Sequence, residues 1–263
     1  MLFINLLIIF IFGTIIGSFL NVVVLRYNTG LSIIKGKSKC FSCSKDLFWY
    51  ELIPIISFLM LDGKCLKCKS KISYQYPIVE FLTGIIFVGL FLKFNLTLLL
   101  PLYFFIALLL IIMAVYDFKH KIIPDGMVFT FIGLSIIIFF STHSLNELLS
   151  FPLSLDLFAG PILFAFFAFF WLISKGKWMG FGDAKLGLGV GFLLGFSGGV
   201  FAIIFAFWIG AIISLILILL QKIKIFKFNL SFKSEIPFAP FIILAVFIQI
   251  FTSWNLSQLL FSW

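Results

Sequence analysis

The chain has 263 residues, of which 63% are apolar, only 11% are charged and 39 are phenylalanine. A water-soluble domain is roughly half apolar and about a quarter charged, so this composition excludes a soluble globule, and it is too apolar for a disordered coil. The net charge of +9 invites a nucleic-acid reading, but basic residues in a membrane protein report orientation and contact with anionic lipid, so no nucleic-acid partner is expected.

Apolar runs predict spans near residues 3–25, 77–92, 95–116, 126–140, 151–173, 184–197, 199–220 and 236–254. The first lacks the basic start and small-residue exit of a cleavable signal peptide and is expected to be a retained helix. The second and fourth are short for a crossing. Leu186 to Leu220 is too long for one span, and Ser197-Gly198-Gly199 is the expected break. The expected fold is therefore an all-α integral membrane protein of about eight transmembrane helices. Residues 1–27 form the first helix, 28–76 a cytoplasmic insert, and 77–263 a core of about seven helices.

Lysine and arginine set the orientation. With eight crossings, the insert and the loops near 117–125, 174–185 and 221–235 share one face, and of the 19 basic residues only Lys93 falls on the other. This asymmetry predicts that face to be cytoplasmic and both termini to lie outside.

The insert carries all four cysteines, as Cys40-x-x-Cys43 and Cys65-x-x-Cys68, with 21 residues between the pairs. Two such hooks supply four thiolates, the closed tetrahedral set of a structural zinc. A reducing cytoplasmic setting argues against disulfides. Redox dithiols and unmetallated thiols are the competing readings. The insert is too small and polar to hold a core, so the metal is expected to supply its folding energy.

Two of the ten acidic residues sit where acids are costly. Asp117 closes the third span and Asp183 opens the sixth, both at the predicted cytoplasmic ends. A carboxylate that takes a proton from water, beside a protonated partner that polarises a carbonyl, is the pair that peptide hydrolysis needs. Like charges held close share one proton. Gly180 and Gly182 flank Asp183 and leave room for a substrate backbone to approach. Gly187, Gly191 and Gly195 form a small-residue ridge that could bring the sixth span to the third, or be a packing seam. Each aspartate alone also reads as an interfacial acid paired with Lys119 or Lys185, and a proton or ion relay is a further account. Glu51, Asp62, Glu80 and Asp125 are candidate acids for a basic substrate segment, Glu80 foremost, with a structural hydrogen bond as its alternative role.

Taken together, these motifs resemble the bacterial type IV prepilin peptidases, the bifunctional prepilin leader peptidase and N-methyltransferase enzymes, which are GxGD-type membrane aspartic proteases. The resemblance rests on Gly17-Ser18-Phe19-Leu20-Asn21 with Arg26, on the two cysteine hooks, on Trp49-Tyr50-Glu51-Leu52-Ile53-Pro54 and on Tyr76-Pro77-Ile78-Val79-Glu80. It continues through Asp117 with Ile123-Pro124-Asp125, Gly180-x-Gly182-Asp183-x-Lys185, and Ile236-Pro237-Phe238-Ala239-Pro240-Phe241. Ala239 and Phe181 stand where glycine is common.

The resemblance implies that Asp117 and Asp183 are the catalytic pair and that the hooks bind zinc. It also implies cleavage of the basic leader of type IV prepilin or pseudopilin precursors at the bacterial inner membrane. Methylation of the new amino terminus with S-adenosylmethionine would follow, at a donor site the sequence does not locate. A proton-coupled transporter that relays protons through Asp117 and Asp183 is the alternative, though no inverted repeat or midplane charge supports it. A zinc-dependent assembly factor is a third. Membrane lipid is the remaining expected partner, and the sequence carries no signal of oligomeric state.

Overall fold

A computed structural model describes residues 2–143, 153–222 and 237–253. Among them the regular structure is helical: α1 (Leu2–Arg26), α2 (Ile56–Met60), α3 (Gln75–Phe94), α4 (Leu100–His120), α5 (Asp125–Thr142), α6 (Leu153–Ser174), α7 (Phe181–Lys222) and α8 (Ala239–Thr252). A 3-10 turn at Trp49–Leu52 and two isolated bridges within the insert complete it. The expected span ends at 151, 236 and 254, and Lys224, Lys227 and Lys233, lie outside the described residues.

Six helices are long and apolar enough to cross a membrane, and α8 is a shorter apolar helix. The longest, α7, has 42 residues, or roughly 60 Å at 1.5 Å per residue, about twice the hydrocarbon thickness. It is not one rod. Gly195 adopts φ 70°, ψ −176°, and a Cβ on Gly199 would lie 3.6 Å from the Cα of Gly191. Eight residues along a straight helix rise about 12 Å, so the chain folds back at Gly195 into two limbs. Counting both limbs gives eight apolar helical segments, as the sequence predicts.

The break falls at Gly195 rather than at Ser197-Gly198-Gly199, and the reason is an acid on another helix. Asp156 of α6 accepts the Phe196 N–H at 2.6 Å, and a Cβ on Gly195 would come within 2.7 Å of the same carboxylate oxygen. The carboxylate both satisfies a freed amide and occupies the place of a side chain, so only glycine fits the positive φ there.

The chain divides into two compact units, Met1–Ile112 and Met113–Trp263. In the first, α1 and α3 meet backbone to backbone. A Cβ on Gly13 would lie 2.8 Å from the Cα of Gly84, and one on Gly17 would lie 2.8 Å from the Cα of Glu80. Small residues permit such contact in lipid, where packing rather than water exclusion drives association. Stacked rings join α3 to the first part of α4: Phe87 on Phe104 with centroids 4.3 Å apart, and Phe94 on Tyr103 at 3.9 Å. Arg26 ends α1 and opens the insert. Its guanidinium donates to the carbonyls of Ser32, Lys35 and Lys37 at 2.7, 3.1 and 3.1 Å, a fork that folds the first loop about one side chain.

In the second unit, the first limb of α7 lies between α5 and α6. A Cβ on Gly187 would strike Phe167, one on Gly191 would lie 2.5 Å from the backbone of Gly160, and one on Gly189 would enter the Phe131 ring. The Gly187–Gly191–Gly195 ridge therefore seats on α6, the fifth span: of the two roles the sequence leaves open it is the packing seam. Glycine spacing shows that a helix can be approached closely, but not by which neighbour. α8 is buried along most of its length, with Phe241 against Gly210 of α7.

Candidate active site and metal centre

Asp117 lies in the last turn of α4 and Asp183 in the first turn of α7, with exposures of 5% and 7%. Both belong to the second unit. Asp183 is braced locally: its Oδ2 accepts the Gly180 N–H at 3.2 Å, while its own N–H donates to the Gly180 carbonyl at 3.1 Å. Asp117 faces the backbone amide of Ala239. That amide opens α8, where unsatisfied N–H groups favour an anion. Asp117 and Asp183 lie within electrostatic reach of each other.

Two ties bring these helix ends together, and they explain why the two aspartate motifs extend beyond the aspartates. After α4 ends, with Lys121 at φ 54°, the chain runs through Ile123-Pro124 into α5. Ile123 is buried, and it packs where a Cβ on Gly182 would sit, at 3.0–3.2 Å. Asp125, in the first turn of α5, accepts from the Lys185 ammonium at 2.6 Å. Lys185 also lies over the Phe129 and Phe181 rings, 5.3 Å from each centroid. The Ile-Pro-Asp segment after Asp117 thus grips Gly182 and Lys185 on either side of Asp183.

The partners differ from the simplest expectation. Lys185 pairs with Asp125 rather than Asp183, and among the described residues no ion pair joins Asp117 or Asp183 to a lysine. Gly182 is accounted for by Ile123. Gly180 is the open position: a Cβ there would meet nothing closer than Asp183 Oδ2, at 3.7 Å. His120 packs against Tyr116, with ring centroids 4.4 Å apart and planes tilted by 33°.

The other candidate acids lie in the first unit, apart from Asp125. Glu51 accepts from Lys45 through both oxygens at 3.1 and 3.0 Å, and from the Phe48 N–H at 2.9 Å. Burial works against its charge, but the Phe48 amide and the Lys45 ammonium prevail and hold its carboxyl below the usual carboxylate range. Glu80 is 6% exposed and accepts the Ile55 N–H at 2.7 Å. Asp156 is the acid that the sequence reading passed over. Its signal was available, as an aspartate inside the predicted span 151–173, but its partner across two helices was not.

The hooks form one cluster, with the four Sγ atoms all within 4.8 Å of one another. Cys40 and Cys68 approach to 3.8 Å. Zinc–sulfur bonds of about 2.3 Å in a tetrahedron require sulfurs about 3.8 Å apart, so this set can hold a zinc ion. The two hooks share one backbone pattern. In the first, Ser44 N–H donates to the Cys40 carbonyl and Cys40 N–H to Lys45; in the second, Lys69 donates to Cys65 and Cys65 to Ser70, all at 2.9–3.0 Å. The residue after each second cysteine has positive φ, 55° at Ser44 and 58° at Lys69.

The amides of Cys43 and Ser42 draw the Cys40 thiol down to about 6. Ser70 lowers Cys68, through its hydroxyl and then its amide. Cys43 has the Lys45 amide in its favour, yet burial and the neighbouring sulfurs push it up to about 11. Four sulfurs this close cannot all ionise unaided, and a divalent cation is what lets them.

The comparisons with known proteins agree with this geometry. Residues 11–94 match the profile of the bacterial peptidase A24 N-terminal domain, and residues 104–215, which hold both aspartates, match the type IV leader peptidase family. The chain is 36% identical over 237 residues to a prepilin leader peptidase/N-methyltransferase of Bacillus subtilis, covering 89% of this chain and 88% of that protein. It is 28% identical to the protein of the same description from Pseudomonas aeruginosa, covering 90% and 87%. A Myxococcus xanthus counterpart is 32% identical over 80% of this chain, which spans 62% of that longer protein. No solved structure matches. With two buried carboxylates on converging helix ends, a four-thiol insert and these relatives, the chain belongs to the type IV leader peptidase family.

Proposed function

We propose that this protein is a membrane-embedded aspartic endopeptidase that removes the leader of type IV prepilin-like precursors and then methylates the new amino terminus. The observation that carries the reading is the pairing of Asp117 and Asp183, buried, without lysine partners among the described residues, and within each other's field. Of two like charges held close, one keeps a proton. The ionised carboxylate takes a proton from water as the oxygen attacks the scissile carbonyl, and the protonated one hydrogen-bonds the developing oxyanion. The amide of Ala239 steadies Asp117, and the Gly180 amide steadies Asp183. The open face at Gly180 gives the substrate backbone room beside Asp183.

The location suits such a substrate. A precursor with an apolar helix in the bilayer and a basic leader at its cytoplasmic face presents the scissile bond at a membrane boundary, where α4 ends and α7 begins. The positive-inside asymmetry of the sequence supports a boundary on the cytoplasmic side of the inner membrane, with both termini outside. Cys40, Cys43, Cys65 and Cys68 would hold a zinc ion; four thiolates would fill its coordination, so it would staple the insert and take no part in hydrolysis. S-adenosylmethionine is the methyl source the reading requires.

The test is substitution of each acid by its neutral isostere. Asp117→Asn and Asp183→Asn should each lower leader cleavage by at least about 10³-fold while the protein stays membrane-integrated. Efficient processing by either variant, measured from product masses with purified enzyme and a precursor, would remove that residue from the mechanism.

A further inference from the structure

The first unit contains a buried acid that hydrolysis does not use. Glu80 lies on α3, 6% exposed, and among the described residues it forms no ion pair with any cation. An acid in a membrane-length helix without a counter-charge is costly and points to function. Its surroundings are built around it. Gly17 brings α1 against the Cα of Glu80, Ser18 turns its hydroxyl to the carboxylate, and Ile55 donates its N–H at 2.7 Å. One turn away, Asn21, 1% exposed, donates to the Tyr76 carbonyl and accepts from Gln75, both at 3.3 Å.

The donor on the insert side is strained. Ile55 sits at φ 61°, ψ −51°, and the flanking residues close a γ-turn, Ile56 N–H to the Pro54 carbonyl at 2.5 Å. This is the rare positive-φ form of that turn, costly for any β-branched residue. Strain of this kind persists where the surroundings over-determine it, often at functional sites. Here it aims an amide at Glu80. A carboxylate offers about four lone-pair sites; Ile55 and Ser18 take two, and the rest remain for a donor of positive charge.

We propose that Glu80 is the catalytic residue that receives the substrate's α-amino group for methyl transfer, an assignment that rests on the bifunctional reading above. The terminal ammonium of the cleaved product docks on the carboxylate and gives it a proton. The freed nitrogen lone pair then forms the N–CH₃ bond as the C–S bond of a sulfonium donor breaks, the sulfur keeping that electron pair as a neutral thioether. The product is a monomethylammonium, and Glu80 returns its proton to water. Ser18 and the Ile55 amide hold the carboxylate in place throughout.

The experiment uses the full-length, zinc-loaded protein and a synthetic precut peptide with a free amino-terminal phenylalanine, so that cleavage is not needed. Wild type should bind this peptide, without any methyl donor, about tenfold or more tightly than its N-acetylated form, and should methylate it when S-adenosylmethionine is added. Glu80→Gln keeps an acceptor for Ile55 and removes the charge. It should bind both peptides alike and lose methyl transfer about 10²-fold or more, with Glu80→Asp recovering part of both. A Glu80→Gln protein that still discriminates and still methylates at the wild-type rate overturns the assignment. Wild type that methylates no precut peptide overturns the bifunctional reading and the assignment with it.

Discussion

The cysteine insert and the helices around Asp183 solve opposite problems. The insert has almost no apolar interior: Glu51, Gly63 and Cys65 are the residues it buries between Asn28 and Tyr74. Directed polar bonds hold it, namely the Arg26 fork, the Lys45–Glu51 pair and two matched hooks. The second unit is held by shape. Gly187, Gly189 and Gly191 remove side chains so that Phe167, Phe131 and the Gly160 backbone can close on α7, and its polar bonds gather where the backbone is interrupted. Where water competes for every hydrogen bond, a metal and buried ions must add what a core would have given. In lipid, contact area is what separates one arrangement of helices from another.

The comparison breaks most sharply if the metal is removed. Purified protein should carry about one zinc per chain. Chelation, or Cys65→Ser, should cost the insert about 10 kcal/mol or more of metal-linked folding free energy. Proteolysis within residues 28–74 should then become rapid, and the helices of the second unit should stay protected; a chelated insert that resists protease as before would show that the polar bonds suffice.

A smaller effect should follow from filling the tightest glycine. Gly191→Ala puts a methyl group 2.5 Å from the Gly160 backbone, where no side chain can yield, and should destabilise the second unit by about 3 kcal/mol. Thermal unfolding in detergent would measure it. Gly180→Ala, with no contact closer than 3.7 Å, should leave the unfolding temperature nearly unchanged.

The smallest effect sharpens the insert side. Because Glu51 is held below the usual carboxylate range, its pairing stabilises the insert fully above the unfolded carboxylate value of about 4.3 and is lost as pH falls through its lower folded value. The difference in protease resistance between wild type and Glu51→Gln should therefore be widest near neutrality and close in acid. A gap that is constant with pH would mean that the charge of Glu51 contributes nothing.

Much of this was legible in the sequence, and the reason differs by residue. Asp117, Asp183 and the four cysteines stood out because their chemistry is costly or rare in such a chain. The helices followed from apolar run length. What stayed hidden were the pairings between elements. The glycine ridge declared a close contact without naming α6 as its partner. The turn back in α7 was placed at Ser197-Gly198-Gly199 by composition, whereas Gly195 supplies it because Asp156 lies opposite. Lys185 seemed a natural mate for Asp183, two residues away, but on the helix it points to Asp125. Nothing local marks Ile55 as the centre of a strained turn, since a β-branched residue is the last to be expected there.

The turn back at Gly195 also governs how the chain is threaded during synthesis. An unbroken apolar helix of that length counts as a single crossing, and every segment downstream would then emerge in the opposite leaflet. One carboxylate on a neighbouring helix and one missing methyl group thus turn the chain back toward α8, whose amide must arrive beside Asp117.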